Sequence, residues 1–227
     1  MYLVFIGLIV LGIVFLPGVW VQHVLGRYAE PSDRYSGTGA ELARHLLDKY
    51  GMQSVKVEET DQGDHYDPND KAVRLTEDKY AGRSLTAITV AAHEVGHAIQ
   101  DNEGYRPLRY RSHLVKVTQK FEKLGAAILM ISPFIGAITR VPGLGIVMFL
   151  AGLMTLGTST LVHLVTLPTE LDASFNRALP ILEKENILKT ADKRHARRIL
   201  KAAALTYVSA SLMSLLNIAR WFAILRR

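Results

Sequence analysis

Long uncharged apolar runs alternate with polar stretches along this chain. Four such runs occupy residues 3–25, 124–139, 143–167 and 202–219. A helix needs about 20 apolar residues to cross a hydrocarbon core of about 30 Å. The first and third runs are therefore long enough to span a membrane, whereas the second must borrow flanking residues. The fourth is of marginal length and either spans or packs on the protein, so the pattern predicts a membrane protein with several crossings.

Residues 1–25 predict an N-terminal transmembrane anchor. No Lys or Arg precedes the apolar run and no A-x-A cleavage site follows it, so we expect the segment to be retained rather than removed as a signal peptide. The second and third runs are separated by a tight break at 140–142. Residues 124–167 are therefore predicted to form a transmembrane hairpin.

Basic residues flank the apolar runs unevenly. Arg27 follows the first run, and three lysines precede the hairpin, at positions 116, 120 and 123. The opposite side carries Arg140 and, if the last run spans, Arg220, Arg226 and Arg227. Because positive charge favours the cytoplasmic side, we expect the polar region 26–123 in the cytoplasm and Met1 outside.

Two helices are predicted in the polar region 26–123. Thr38 and Glu41 have the spacing of a capping box, and Gly51 ends the helical pattern that follows them. A second helix is predicted from about Leu85 to Gln100.

Two short segments alternate between apolar and polar residues, as strands do. They cover 54–58 and 71–76, on either side of the turn-rich stretch 61–70. The sequence therefore predicts a fold that is mainly α with a small β element, in which transmembrane helices accompany the polar region.

Composition excludes several classes of protein and site. The chain has 227 residues and no cysteine, which excludes disulfide scaffolds, thiolate metal sites and thiol nucleophiles. A hydrophobic content of 49% excludes a disordered chain. Within 177–201, eight basic residues stand against three acidic ones. No aromatic platform or nucleic-acid motif accompanies them, so we expect no nucleic-acid partner; a cytoplasm-facing membrane surface and a solvated helix face both stay open.

The segment from His93 to His97 reads His-Glu-Val-Gly-His. Residues four apart share a helix face, so both histidines can reach one metal ion. Glu94 lies about 100° around the helix axis and can contact a water molecule beside the ion. Zn²⁺ lowers the pKa of a water molecule to about 7, and Glu94 can take its proton as a general base. The alternative is two ordinary core histidines.

A catalytic zinc site takes three protein ligands and keeps one position open. Without cysteine the third ligand must be His, Asp or Glu, and the best candidate is Glu170, on a helix predicted over 168–201. The hairpin before it crosses the membrane twice and returns the chain to the side of His97. Asp172 is the weaker alternative. We therefore expect one Zn²⁺ per chain.

Five motifs follow one another along the chain: DHYDP at 64–68, VRL at 73–75, GRS at 82–84, AAHEVGHAIQ at 91–100 and LPTELDAS at 167–174. In this combination the chain resembles the bacterial membrane-bound neutral zinc metallopeptidases, the YugP-like family. It is also similar to HtpX-type membrane gluzincins, in which a transmembrane hairpin separates the H-E-x-x-H motif from a glutamate ligand. The resemblance implies a zincin-like catalytic region in a multi-pass protein of the bacterial plasma membrane.

The resemblance also implies roles for residues around the metal. Val73–Leu75 would be the edge strand beside the cleft and would pair with an extended substrate. His65, Tyr66 and Arg177 are candidates to stabilise the oxyanion, although the first two also fit turn residues and the third a lipid-facing charge.

HtpX-type proteins carry an aspartate four residues after the glutamate ligand, where this chain has Ser174. That aspartate would orient a metal ligand from outside the coordination sphere. In this chain Asp172 is the candidate for the same contact.

Three functions are compatible with these residues. The first is a zinc endopeptidase at the surface of the bilayer that cleaves peptide or membrane-protein substrates, with Glu94 as base. The second is an intramembrane protease of the site-2 type; however, the apolar run 85–99 has only 15 residues and charged neighbours, which is typical of a buried core helix. The third is a membrane scaffold or assembly factor without activity. The sequence does not predict the oligomeric state.

Overall fold

A computed structural model of the chain describes residues 2–215 and 221. Over these residues the chain is mostly helical with one small three-stranded sheet, which confirms the predicted mainly α class with a small β element. The helices are α1 (Tyr2–Arg27), α2 (Gly39–Lys49), α3 (Glu77–Tyr80), α4 (Leu85–Asn102), α5 (Arg106–Ile138), α6 (Pro142–Leu171), a π-helical segment (Asp172–Ala178), α7 (Leu179–Lys184), a 3₁₀ turn (Thr190–Asp192) and α8 (Lys193–Ser214). The strands are β1 (Lys56–Glu59), β2 (His65–Asp67) and β3 (Ala72–Leu75).

The described residues form two compact units. The apolar unit contains those of 1–19, 110–167 and 206–227, and the polar unit contains 20–109 and 168–205. Each unit has its own cluster of buried hydrophobic side chains. The predicted division into anchor, polar region, hairpin, third-ligand helix and C-terminal helix is finer than this one and stays a prediction.

Three helical stretches in the described part of the chain are long and apolar enough to cross a membrane, namely Val4–Arg27, Arg106–Ile138 and Gly143–Lys184. They include the first three apolar runs of the sequence except residues 3 and 139. The break between the last two is short, with Arg140 at a φ of +55° and Pro142 at the first position of α6, where its missing N–H costs nothing. The fourth run lies partly in α8, and its last residues, 216–219, lie outside the described residues.

Hydrogen bonds between side chains join α8 to the hairpin helices inside the apolar unit. Ser211 on α8 donates to Ser159 on α6 over 3.2 Å and lies 2.9 Å from the hydroxyl of Thr160. Ser159 in turn donates to Glu122 on α5. Because a polar group in apolar surroundings is costly without a partner, these bonds tie the three helices together.

The sheet has the strand order β1–β3–β2. β3 runs parallel to β1 and antiparallel to β2, with Val73 opposite both Val57 and Tyr66. The expectation that Val73–Leu75 forms an edge strand is therefore wrong, because a strand on each side already uses the hydrogen-bonding groups of its backbone. β2 lies in the stretch 61–70, which the sequence predicts as turns, since three residues are too few to show an alternating pattern.

Helix α4 is the centre of the polar unit, and every residue from Leu85 to Gln100 is buried. The helix begins after Ser84, whose hydroxyl accepts a hydrogen bond from a main-chain N–H of the first turn. α2, α3, α7, β2, β3 and the π-helical segment all pack against it. The predicted helix over 85–100 is confirmed, as is the capping box of Thr38 and Glu41 at the start of α2.

Candidate metal centre

Three buried side chains converge inside the polar unit. His93 and His97 lie one turn apart on α4, and Glu170 lies near the C-terminal end of α6. Their ligand atoms all lie within 4.8 Å of one another, and each residue is at most 3% exposed. Glu170 Oε2 lies 3.0 Å from His97 Nε2 and 3.5 Å from His93 Nε2. The structure thus brings together the three side chains that the sequence proposes as metal ligands.

Gly96, inside the His-Glu-Val-Gly-His motif, sets how closely α4 approaches the segment that follows Glu170. A β-carbon at this position would lie 2.6 Å from the carbonyl oxygen of Ala173, well inside the 3.4–4 Å of ordinary contact. Only glycine therefore lets the two backbones meet at their present distance. The motif therefore provides the two histidines and, through Gly96, the close contact between α4 and the segment that contains Ala173.

The donor set fits a divalent metal ion. Two imidazole nitrogens and a carboxylate oxygen are a ligand set that zinc takes in catalytic sites. The carboxylate oxygen and the imidazole nitrogens are electron-pair donors that face one another in a buried position, an arrangement that a cation between them stabilises. Within residues 2–215 and 221, no second group of three or more His, Asp and Glu side chains is arranged in this way.

Each histidine of the group is also held through Nδ1, on the side of the ring away from Glu170. His93 Nδ1 lies 2.9 Å from Ser174 Oγ, and this hydroxyl donates to the carbonyl oxygen of Leu200 over 3.1 Å. His97 Nδ1 lies 2.9 Å from Gln100 Oε1. Histidines that bind metals usually contact a further group through the second ring nitrogen, so both rings have the surroundings of ligands.

Asp172 and Arg177 belong to the hydrogen-bond network behind His97. The amide nitrogen of Gln100 donates to Asp172 Oδ2 over 2.8 Å. Arg177 Nε donates to the same oxygen over 2.9 Å, and its guanidinium group also binds the carboxylate of Glu103. The structure therefore places the Asp172 carboxylate against Gln100 and Arg177, outside the three converging side chains.

His65 and Tyr66 lie on β2. The Tyr66 hydroxyl donates to Asp101 Oδ2 over 2.8 Å, and burial together with that carboxylate raises the pKa of Tyr66, so the phenol keeps its proton at neutral pH. His65 Nδ1 lies 2.8 Å from the carbonyl oxygen of Gly63. Both side chains have partners of their own, and their role toward an oxyanion stays a prediction, as does that of Arg177.

Glu94 follows His93 on α4 and is 5% exposed. One residue step turns its side chain about 100° around the helix from that of His93. Glu94 is therefore adjacent to His93 in sequence but is not one of the three converging side chains. Its assignment as a base stays a prediction.

The sequence interpretation does not identify Gln100 or the contact of Ser174. Gln100 lies three residues after His97 on one helix, and side chains at that spacing are neighbours. This spacing is the feature of the sequence that could have predicted the contact between Gln100 and His97. Ser174 lies four residues after Glu170, and it contacts His93. The sequence offers Asp172 as the residue that orients a metal ligand. In the structure Asp172 accepts a hydrogen bond from Gln100, and Gln100 in turn contacts His97.

Comparison with known proteins gives two matches over nearly the whole chain. A family model described as "Putative neutral zinc metallopeptidase" matches residues 2–226. The chain is 36% identical over 227 residues to the "Putative membrane protease YugP" of Bacillus subtilis (strain 168), and the match covers 99% of this chain and 96% of that protein. No solved structure matches. The relative's name and the three long apolar helices both indicate association with a membrane.

Proposed function

Because the chain belongs to the neutral zinc metallopeptidase family, we propose that it is a membrane-embedded, zinc-dependent endopeptidase that hydrolyses peptide bonds. The observation that carries the proposal is the convergence of His93, His97 and Glu170 on one buried position. The family implies zinc, and the single such group in the described part of the chain supports a stoichiometry of one Zn²⁺ per chain.

The three converging side chains would hold the ion. His93 and His97 would offer Nε2 to it, and Glu170 would offer Oε2, the atom that both imidazoles face. Bound Zn²⁺ supplies a Lewis acid that polarises a peptide carbonyl and lowers the pKa of a water molecule. The negative charge of Glu170 offsets part of the charge of the ion, which matters at a position so deeply buried.

Glu94 is the general base in this proposal. It accepts the proton of the attacking water and passes it to the nitrogen of the leaving amine, so that the amine departs neutral. Its position next to His93, in the buried part of α4, supports this role, because a rigid helix would hold the carboxylate in one place relative to the ion.

We further propose that the apolar helices lie in the bacterial plasma membrane as several crossings and that residues 26–123 face the cytoplasm. The support is the basic flank of the apolar runs, at Arg27 and at positions 116, 120 and 123. Peptides and membrane proteins near the bilayer surface are then the substrate class. α4 is not among the candidate spans of the described residues, which favours this arrangement over a site-2-type site inside the bilayer.

Metal analysis and proteolysis of the purified full-length protein test the proposal. We expect one zinc per chain in the wild type, and the Glu94→Gln variant should keep the zinc while peptide cleavage falls by about 10²–10⁴-fold, the usual contribution of a general base. Glu77→Gln is the matched control, since Glu77 lies exposed on α3; it should cleave like the wild type. A metal-free wild type would favour the scaffold function, and unchanged cleavage by Glu94→Gln would overturn the assignment of the base.

A further inference from the structure

We propose that Ser174 and Gln100 are positioning residues of the metal centre, each of which fixes one histidine as its Nδ1–H tautomer. The inference rests on the proposed function, because it concerns how the same histidines are prepared to bind zinc. It adds two residues whose roles neither the family description nor the metal-binding motif assigns.

The proton on His93 follows from the two contacts of Ser174. A hydroxyl group has one hydrogen and two acceptor lone pairs. The main-chain carbonyl of Leu200 can only accept, so the Ser174 hydrogen lies on that 3.1 Å bond. His93 Nδ1, 2.9 Å from the same oxygen, must therefore carry a hydrogen and donate it. In a neutral imidazole this leaves the lone pair on Nε2, the atom that faces Glu170.

The proton on His97 follows from the three contacts of Gln100. The amide nitrogen donates both of its hydrogens, one to the carbonyl of Thr169 over 2.9 Å and one to the carboxylate of Asp172 over 2.8 Å. These two acceptors fix which end of the amide is nitrogen, so Oε1 is the atom that lies 2.9 Å from His97 Nδ1. That oxygen can only accept. His97 therefore also carries its hydrogen on Nδ1, and its Nε2 lone pair is aimed at Glu170.

The contacts of Ser174 explain why position 174 carries a hydroxyl group rather than a carboxylate. The side chain must accept from His93 and donate to Leu200 at once, and it is fully buried. An ionised carboxylate only accepts and would face the Leu200 carbonyl with like partial charge. Position 174 in this chain is therefore set by the main chain of α8 as well as by the histidine.

A purely structural role for the two residues makes a different prediction. Buried polar groups need hydrogen-bond partners whatever the site does, so losing either residue would then lower the stability of the metal-free protein without a specific effect on zinc. Positioning residues instead change the affinity for the ion and the environment of its ligands. Substitution of such outer groups typically weakens metal binding by about 10–100-fold.

The test measures zinc affinity by chelator competition on the full-length protein in detergent, together with the visible spectrum of the Co²⁺-loaded protein and the melting temperature of the metal-free protein. Ser174→Ala and Gln100→Met should each weaken zinc binding by about 10–100-fold and alter the Co²⁺ spectrum. Ser174→Thr, which keeps the hydroxyl, should restore both. Ser209→Ala is the matched control, because the buried Ser209 hydroxyl donates to the carbonyl of Thr206 in its own helix and Ser209 lies outside the polar unit that contains the metal centre; it should leave both unchanged.

A second measurement uses the wild type, so its result does not depend on whether a variant folds. In the zinc-loaded wild type labelled with ¹⁵N-histidine, His93 and His97 should both carry hydrogen on Nδ1, and an Nε2–H form of either overturns the inference. Variants with wild-type zinc affinity and Co²⁺ spectrum also overturn it, as does a loss that Ser209→Ala reproduces. A wild type that binds no zinc overturns the proposed function and this inference together. A wild type that binds zinc, with variants that bind it equally well, overturns this inference alone, so the two failures are distinguishable.

Discussion

Replacing Gly96 with alanine adds one methyl group at a contact between two backbones. The new carbon would lie 2.6 Å from the Ala173 carbonyl oxygen, whereas ordinary contact begins at 3.4 Å, so α4 and the π-helical segment must separate by about 0.8 Å. Metal sites tolerate errors of only about 0.2 Å in their ligand distances. The separation moves Glu170 and the two histidines apart by several times that tolerance, since the carboxylate lies three residues before Ala173.

The expected size of the effect follows from the cost of overpacking. Forcing an extra methyl group into a packed interior costs about 1–3 kcal/mol. The metal-free protein can relieve this strain by letting the segments part, and alanine is favoured over glycine in a helix by about 1 kcal/mol. The zinc-bound form must keep the segments together, so the strain reappears as an increase of about 5–150-fold in the zinc dissociation constant.

Chelator competition on the purified Gly96→Ala protein measures this constant, and the melting temperature of the metal-free form shows that the variant is folded. Gly157→Ala is the control, because Gly157 lies in α6 with open space around its β-carbon position; its zinc affinity should equal that of the wild type. Wild-type zinc affinity in Gly96→Ala would refute the reasoning, since it would mean that the close approach of the two backbones does not set the ligand geometry.

Two further predictions concern the supports of each unit. Because the chain has no cysteine and the hydroxyl oxygens of Ser159 and Ser211 lie 3.2 Å apart, the double variant Ser159→Cys/Ser211→Cys should form an intramolecular disulfide on mild oxidation, detected by gel mobility before and after reduction; failure of the bond to form would contradict the packing of α8 on α6. In the polar unit, burial raises the pKa of Asp192, but hydrogen bonds from Arg34 and Tyr35 outweigh it and hold that pKa below its usual value of 3.8. The lowered pKa means that this carboxylate stabilises the fold fully above about pH 4 and loses its contribution as the pH falls through the folded-state value. Asp192→Asn should therefore be less stable than the wild type at pH 7 in denaturant unfolding yet lose less stability between pH 4 and pH 2, and a parallel loss in both proteins would contradict the assignment.

Local patterns in the sequence predicted the elements whose formation depends on near neighbours. Helix α4 follows from the apolar run 85–99, and the start of α2 follows from the capping box of Thr38 and Glu41. The convergence of Glu170 with the two histidines was predicted from a longer argument, in which two crossings return the chain to one side. Run lengths and flanking charges support that prediction, and both are contained in full in the sequence.

Features that depend on distant main-chain groups could not be predicted in this way. The hydrogen on His93 depends on the carbonyl of Leu200, and no side-chain pattern marks a carbonyl group. β3 is the central strand because β2 pairs with it, and β2 has only three residues. Three residues are too few to show the alternation of apolar and polar positions that predicts a strand. The contact of Ser174 with His93 could not be predicted either, because a neutral serine carries no charge that marks it; Asp172, the predicted candidate, accepts a hydrogen bond from Gln100.

The Leu200 carbonyl, which takes the Ser174 hydrogen, is also the last part of the centre to be synthesised. A ribosome releases the chain from its N-terminal end, so both imidazoles and the third carboxylate emerge before the group that settles where the His93 proton lies. A nascent chain that stops short of α8 thus has the three converging side chains but not the carbonyl group that orients the Ser174 hydroxyl. Under the proposal above, the position of the His93 hydrogen is settled only after α8 has been synthesised.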